Sequence, residues 1–307
     1  MDAAESPHYT FQPVGDRVHA AIAKPTGAGI CNSGLVDLGE GTMVFDAGLT
    51  PGAAAHLAAA SVRTLGRPPT MVVDSHWHLD HSLGNSAFPR VPIWGTRRTR
   101  EILLEQKDTL AAELTEARLR QDLAELERRR RSLRSKDARA DIDLFIQMNK
   151  VMIEAAGSLR TVPPDQTFES RLDLPGDRGA ELRSFGAGHT DADAILLLPA
   201  EKILFAGDLV VVGLQPSMGS GDPEHWLTVL DELERLRPER IVPGHGPVSP
   251  VEAIDETRSY LTGVLAAARS PRGAPVPAAV RRWEGSFSFR ENVRATRDRL
   301  KVSRRDA

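Results

Sequence analysis

The chain has 307 residues, of which 41% are hydrophobic and 26% are charged, and its formal net charge is -3. This composition is typical of a folded globular protein and differs from that of a disordered or membrane-embedded chain. The near-neutral charge provides no general attraction for nucleic acid or for an anionic membrane, so we expect neither as a partner. We expect a cytoplasmic protein, because residues 1–7 show no signal-peptide pattern and the single cysteine, Cys31, excludes an intrachain disulfide.

The first part of the chain predicts a β-rich unit with one helix. Alternation of apolar and polar residues predicts a strand at residues 11–23, and turn glycines join residues 30–38 and 42–45 into a hairpin. A helix is predicted at residues 51–65, where helix-stop residues end it, and a short apolar strand at residues 71–73. The hairpin turns at Gly39-Glu40-Gly41, whose glycines allow positive φ, and it ends at Asp46.

A dense group of polar residues follows the short strand. It places three histidines and a carboxylate within six positions: His76, His78, Asp80 and His81. If the strand continues, its period of two points His76 and His78 to the same side, and a turn beginning at Leu79 brings the other two towards the same point. Imidazole and carboxylate ligands without a thiolate suit zinc first, with iron and manganese as alternatives. The group therefore predicts a metal site rather than a histidine-rich surface loop.

The composition changes abruptly between about residues 97 and 160, where glycine and proline are almost absent. This stretch predicts a helical insertion, and a turn near residues 135–137 would make it a hairpin of two helices. The first helix has a narrow leucine stripe, whereas the face around Phe145 is broader and leaves room for another surface. We expect the hairpin to form one wall of the active-site pocket, with a homodimer contact as a second role. The four arginines at 128–131 are expected to be a solvated face, because glutamates 125 and 127 lie beside them.

The second half of the chain repeats the order of the first half: hairpin, aspartate, helix, short strand and histidine. The hairpin is predicted at residues 194–198 and 202–205, the helix at residues 223–236 and the strand at residues 240–242. Three further metal-type residues each follow a strand and stand beside a glycine: His189, Asp208 and His245. The repeated order predicts two similar sheets that pack face to face, with helices outside.

These residues resemble, in order and in context, the ligand motif of the metallo-β-lactamase superfamily of metallohydrolases. The matching positions are His76-x-His78-x-Asp80-His81, His189, Asp208 and His245. The resemblance spans about residues 10–250 and implies an α+β fold, a four-layer αβ/βα sandwich. It implies a single domain over residues 1–307, with the helical insertion at about 97–160 and a helical C-terminal tail at about 251–307 outside the common core.

The resemblance also implies a division of the metal ligands. One zinc ion would be held by His76, His78 and His189, the other by Asp80, His81 and His245, and Asp208 would bridge the two. Asp80 and Asp208 are the expected catalytic residues, because Asp208 sets the geometry of a metal-bridging hydroxide that Asp80 can orient. Asp46 is expected to accept a hydrogen bond from a ligand histidine rather than to bind metal.

The implied function is a dinuclear zinc hydrolase that acts on a carbonyl or acyl bond of a small molecule, of the lactone, ester, thioester or β-lactam type. Lactonases and glyoxalase II-like thioesterases of the family have the bridging aspartate, whereas several of its β-lactamases have cysteine or serine there. Two alternatives remain: a mononuclear iron oxidoreductase similar to persulfide dioxygenases, and a phosphodiesterase or nuclease of the same superfamily. The near-neutral charge and the lack of a dedicated nucleic-acid domain do not favour the nuclease.

Overall fold

The computed structural model describes residues 6–134, 136–270, 275–278, 283–285 and 289–303. Within them, two β-sheets face each other and helices cover the outer side of each sheet. Each sheet therefore has two buried faces, one against the other sheet and one against helices. The architecture is the expected four-layer αβ/βα sandwich of an α+β protein.

The first sheet has seven strands that lie side by side in chain order: β1 (Tyr9–Gly15), β2 (Val18–Ala23), β3 (Ser33–Asp37), β4 (Thr42–Phe45), β5 (Met71–Val73), β6 (Ile93–Thr96) and β7 (Gln166–Phe168). Strands β1 to β4 are antiparallel, and β4 to β7 are parallel. The expectation of one strand over residues 11–23 was wrong, because the chain turns at Arg17, whose φ is 54°, and forms the hairpin β1–β2.

The second sheet has five strands: β8 (Arg171–Asp173), β9 (Glu181–Ser184), β10 (Ala194–Leu198), β11 (Ile203–Val211) and β13 (Arg240–His245). Two further short strands, β12 (Leu214–Gln215) and β14 (Glu284–Gly285), pair with each other. The hairpin β10–β11 is antiparallel as expected, and β11 pairs in parallel with β13. We expected strand β11 to end at Phe205, but it continues to Val211. All nine of its residues are buried between layers.

The helices are α1 (Pro51–Leu65), α2 (Leu79–Ser82), α3 (Arg97–Glu105), α4 (Lys107–Glu113), α5 (Glu116–Ser132), α6 (Lys136–Ala155), α7 (Pro223–Arg235), α8 (Glu252–Arg269) and α9 (Phe289–Ser303), with 3₁₀ turns at Leu83–Ala87 and Ala156–Ser158. Helix α1 begins with Thr50 as its N-cap and ends at Gly66 in the left-handed conformation, as its sequence predicts. Asp222 caps α7 by accepting hydrogen bonds from two of its first backbone N–H groups.

The core between the sheets contains apolar side chains of both sheets. The rings of Phe45 from β4 and Phe205 from β11 lie 5.9 Å apart. A Cβ at Gly34 of β3 would lie 2.6 Å from the Phe205 ring, so glycine at this position allows the two sheets to approach. The outer face of the first sheet packs on α1, and the outer face of the second packs on α7 and α8.

The helical insertion has four helices rather than two. The first arm is divided into α3, α4 and α5, because the Thr115 hydroxyl accepts a hydrogen bond from Arg118 N and starts a new helix where we expected a continuous one. The turn between α5 and α6 lies close to the expected position. The arginines at 128–131 are exposed, and three of them form ion pairs with Glu125, Glu291 and Asp143. They are a solvated face, as expected.

The C-terminal tail consists of α8, β14 and α9 in the part of the chain that the structure describes. The sequence predicts that three aromatic residues, Trp283, Phe287 and Phe289, dock this tail on the body. Phe289 is buried in the apolar cluster formed by the second sheet, α7 and α8, and Trp283 packs against that cluster. Phe287 lies outside the described residues. Among the described helices, none is long and apolar enough to cross a membrane.

Candidate metal centre

All seven predicted ligands converge at one place. The first half of the chain contributes four of them and the second half three, and their donor atoms form two groups, each within 4.8 Å: His76, His78, His189 and Asp208; Asp80, His81 and His245. This arrangement matches the division that the family resemblance implies. That these residues bind metal ions is a prediction.

The HxHxDH segment reaches the centre by a different path from the one we expected. Strand β5 ends at Val73, so His76 and His78 lie in the following loop and not on a continued strand. His78 is the N-cap residue of the short helix α2, which carries Asp80 and His81 in its first turn. The expected turn at Leu79 is therefore present, but it is the loop conformation, rather than strand alternation, that brings His76 and His78 together.

Asp208 lies within β11 rather than after it, and His245 is the last residue of β13. The regular register between these strands is lost after Phe205, and Gly207 has a φ of 51°. Such irregularities redirect side chains out of the sheet pattern. A Cβ at Gly244 would lie 1.9 Å from Asp208 Oδ1, so glycine leaves the room that this carboxylate occupies.

The three imidazoles of the first group meet nitrogen to nitrogen. His78 Nδ1 lies 3.0 Å from His76 Nε2 and 3.0 Å from His189 Nε2. Burial and the neighbouring histidines lower the pKa of His76 well below its usual range and that of His78 to about 3, so both rings are neutral near pH 7.

Hydrogen bonds indicate which nitrogen of His76 carries its proton. Ser75 Oγ donates its only hydrogen to Asp46 Oδ2, at 2.9 Å, so it accepts from His76 Nδ1, also at 2.9 Å. His76 Nε2 then carries a lone pair that points at the other two imidazoles. Neutral imidazoles with converging lone pairs repel each other unless a cation lies between them, and a tetrahedral ion suits them.

The second group combines charges of opposite sign. His245 Nε2 lies 3.3 Å from Asp80 Oδ2 and 3.4 Å from Asp208 Oδ1. Burial alone would lower the pKa of His245, but the two carboxylates outweigh burial and raise it to about 10. Burial would likewise raise the pKa of Asp80, but His81 and His245 bring it below its usual range.

Three atoms of the ligand residues are buried without a hydrogen-bond partner among the described residues: His81 Nε2, Asp208 Oδ1 and His189 Nδ1. The first two lie 3.3 Å apart, and Asp208 Oδ1 faces His245 as well. Unpaired buried polar atoms are costly in a folded protein, and here they belong to the donor types that bind zinc. The residues present therefore fit a metal ion.

Asp208 faces both groups with separate oxygens. Its Oδ1 lies 3.3 Å from His81 Nε2, in the second group, and its Oδ2 lies 3.4 Å from His189 Nε2, in the first. A carboxylate in this position can bind one ion through each oxygen.

Asp46 supports the centre from outside the ligand set. It accepts hydrogen bonds from the Ser75 backbone N–H at 2.7 Å and from the Ser75 hydroxyl, and its Oδ2 lies 2.9 Å from His81 Nδ1. The expected role of Asp46 as partner of a histidine N–H is confirmed by this geometry. The bond places the His81 proton on Nδ1 and leaves Nε2 for a ligand.

A cavity of about 360 Å³ opens beside the two groups. Its walls come from the centre, from the insertion helices α4 and α6, and from the segment after β11: Ile30, Trp77, His78, Leu79, Asp80, Gln106, Leu110, Glu113, Leu144, Phe145, Met148, His189, Asp208, Val211, Leu214, Gln215, Pro216, Ser217 and His245. The insertion thus forms part of the pocket wall. Trp77 and Asn85 flank the ligands in the sequence, which makes both of them candidates for the pocket wall. Trp77 lines the pocket, whereas Asn85 donates hydrogen bonds from Nδ2 to Asp74 Oδ2 and to the Val162 carbonyl.

A four-layer αβ/βα sandwich with two facing groups of histidine and aspartate ligands defines a class of metal-dependent hydrolases. The family model described as the metallo-beta-lactamase superfamily matches residues 26–245, so the chain belongs to that superfamily. The matched range contains all seven predicted ligands.

Individual relatives are distant. A curated relative, the type 2 metallo-beta-lactamase of Bacteroides fragilis, is 27% identical over 130 residues, which are 40% of this chain and 52% of that protein. This chain therefore matches about half of the length of that relative. A metallo-beta-lactamase from Pontibacter korlensis has a similar solved structure, with a TM-score of 0.59 and 20% identity over 83% of this chain and 99% of the other. The solved structure of a metallo-beta-lactamase from Erythrobacter litoralis also has a TM-score of 0.59, with 15% identity over 85% of this chain and 99% of the other. At these identities the likeness shows the fold alone.

Proposed function

We propose that the chain is a dinuclear zinc hydrolase that acts on a carbonyl or acyl bond of a small molecule. The observation that carries the proposal is the position of Asp208, which directs one oxygen to each of two ligand groups. One ion would need only the first group, and the second would then remain a cluster of buried charges without a role. Histidine and carboxylate donors without a thiolate support zinc.

When bound, the ions would lower the pKa of a water molecule and polarise the substrate carbonyl. The residues of this chain orient and hold the reactants. Asp80 lines the pocket and stays charged, so it can accept a hydrogen bond from the attacking water and orient it. Asp46 and Ser75 keep the ligand rings in one orientation, and the apolar side chains of α4 and α6 restrict access of bulk solvent.

The pocket lining supports an apolar acyl group as substrate. Most of the lining residues are aliphatic or aromatic, and none of those described is lysine or arginine. Away from the ligand cluster, a substrate carboxylate would therefore find no lysine or arginine in the described wall. This favours lactones, esters and thioesters over β-lactams with a free carboxylate, and the bridging aspartate at position 208 agrees with that order.

A hydrolysis panel on metal-quantified protein tests the proposal. The panel contains lactones, thioesters, aryl esters, β-lactams and phosphodiesters, and we expect about two zinc equivalents and turnover of at least one carbonyl substrate. Full zinc loading without turnover of any of them would contradict the proposed reaction. One tightly bound iron with oxygen uptake on a persulfide would identify the oxygenase, and selective phosphodiester cleavage would identify the phosphodiesterase.

A further inference from the structure

Residues 214–217 form a continuous part of the pocket wall, and all four line the cavity. The C-terminal tail holds this segment in place. Strand β12 pairs with β14, so that Leu214 lies opposite Glu284 and Gln215 opposite Gly285. Asn292 of α9 donates a hydrogen bond from Nδ2 to the Pro216 carbonyl at 2.7 Å. The tail therefore sets the position of a wall that belongs to the substrate pocket.

A chain of hydrogen bonds with one direction ends at Gln215. The Pro216 carbonyl can only accept, so the Asn292 atom beside it is the amide nitrogen. The same Nδ2 donates to Tyr260 Oη at 2.7 Å. Tyr260 Oη accepts from Asn292 and donates its hydrogen to Gln215 Oε1 at 3.0 Å. Tyr260 has 0% and Asn292 has 2% of its surface exposed, so water does not compete for these bonds.

The orientation of the Gln215 amide follows from this chain. Because Tyr260 donates to Oε1, the opposite side of the amide group carries Nε2 with its two hydrogens. No hydrogen bond in the described part of the chain engages Gln215 Nε2, and the residue is only partly buried in a pocket wall. Of its neighbours along the chain that also line the pocket, Leu214 and Pro216 are apolar and Ser217 has a hydroxyl group. The wall thus presents an amide donor of fixed orientation next to apolar side chains.

We propose that Gln215 is a specificity-determining residue that donates a hydrogen bond from Nε2 to a second carbonyl oxygen of the substrate, and that Tyr260 and Asn292 are positioning residues for it. The scissile carbonyl must lie at the seven clustered ligands, none of which is hydrogen-bonded to Gln215. The oxygen to which Gln215 donates is therefore not the scissile carbonyl oxygen. It belongs to an amide or ketone carbonyl within the acyl chain. This inference rests on the proposed hydrolytic function for its kinetic test but not for its binding test.

The kinetic test uses esters that differ by a single carbonyl oxygen. 4-Nitrophenyl heptanoate is compared with 4-nitrophenyl oxoheptanoates that have the ketone at carbon 4, 5 or 6. One of the three is expected to exceed the heptanoate in kcat/KM by about three- to tenfold, the value of one neutral hydrogen bond. In Gln215→Glu, which keeps the shape and the acceptor for Tyr260 but removes the donor, the ratio of kcat/KM for this oxoheptanoate to kcat/KM for the heptanoate should fall to about one. Equal losses on all esters, or an unchanged preference, would overturn the proposal.

Tyr260→Phe separates positioning from packing. The variant keeps the ring that stacks on Trp283 and removes only the hydroxyl, so the amide can adopt both orientations. The preference for the oxoheptanoate should fall partway, through KM rather than kcat, with unchanged zinc content. Retention of the full preference would overturn the role of Tyr260.

The binding test needs no turnover. In ¹⁵N-labelled, zinc-loaded protein, the side-chain amide signal of Gln215 is identified by its absence in Gln215→Glu. It should move when one of the three oxoheptanoate anions is added and stay in place with heptanoate. If no ester is hydrolysed but this signal moves selectively, the proposed hydrolytic function is wrong and the proposed role of Gln215 as a donor is supported. If hydrolysis is found but the signal responds to both anions alike, the proposed role of Gln215 is wrong and the hydrolytic function is supported.

Discussion

Asp46→Asn is the most informative single change at the metal centre. Asn can adopt the left-handed backbone that Asp46 has, with φ of 62°, and its Oδ1 can still accept from the Ser75 N–H. Its Nδ2 would face the Ser75 hydroxyl and His81 Nδ1, which both lie 2.9 Å from Asp46 Oδ2. A donor facing Nδ1 favours the other tautomer of His81, with the proton on Nε2, where a ligand lone pair is required.

The expected effect is larger at one of the two ions than at the other. Loss of a partner that orients a ligand histidine typically costs 10- to 100-fold in metal affinity, which is about 1.4–2.8 kcal/mol. His81 belongs to the second group, so affinity for that ion should fall by this factor. The first group is linked to Asp46 only indirectly, through the Ser75 hydroxyl that lies beside His76 Nδ1, so its affinity should fall by a smaller factor.

Ser75→Ala is the matched control, because it removes the hydroxyl that accepts from His76 Nδ1 and leaves Asp46 beside His81. This variant should lower the zinc affinity of the first group and leave that of the second group unchanged. Stepwise zinc affinities at about pH 7, measured by competition with a chromophoric chelator, distinguish the two patterns, and circular dichroism checks the fold. If Asp46→Asn weakened both ions equally, or neither, the assignment of His81 and its tautomer would be refuted.

Three further predictions concern turnover, specificity and the buried thiol. Asp208→Ala should lower kcat on the best panel substrate by more than about 100-fold with a retained melting temperature, while Asp191→Ala, an exposed site near the centre, should leave it unchanged. Phe145→Ala should raise KM for long acyl chains by about tenfold without changing zinc content, and Leu104→Ala, also in the insertion but 49% exposed, should not. Burial raises the pKa of Cys31 to about 12, whereas the unfolded thiol ionises near 9.0, so stability should decline as the pH rises from about 9 towards 12. Iodoacetamide at about pH 8 should accordingly label Cys31 only in denaturant, and rapid labelling of native protein would contradict this.

The local parts of the fold could be predicted from the sequence. Helix α1 has its cap residue, its first proline and its terminal glycine within the segment itself, and the hairpin β3–β4 has its turn glycines. The ligand set could be found because polar residues at the ends of apolar runs have no packing explanation. In each case the physical cause lies within a few residues of the structure that it produces.

Features that depend on distant residues could not be predicted. The position of Asp208 within β11 depends on a register shift against β13 and on the absence of a side chain at Gly244. The contact between Gln215 and Tyr260 joins residues 45 apart in the chain, and that between Tyr260 and Asn292 joins residues 32 apart. Neither residue type nor spacing carries a signal for such a contact, because uncharged polar side chains are common in ordinary helices and strands.

The donation of ligands by both sheets has a mechanical consequence. His76 and His189 come from opposite layers of the sandwich, and their ring nitrogens both lie beside His78. An ion held by them would cross-link the layers, so that the sandwich could not open at this edge until the ion left. Hydrogen exchange of amides in β5 and β11 would then report the lifetime of the ion, and a chelator would act as a local denaturant of the cleft while the distant end of the sandwich stayed closed.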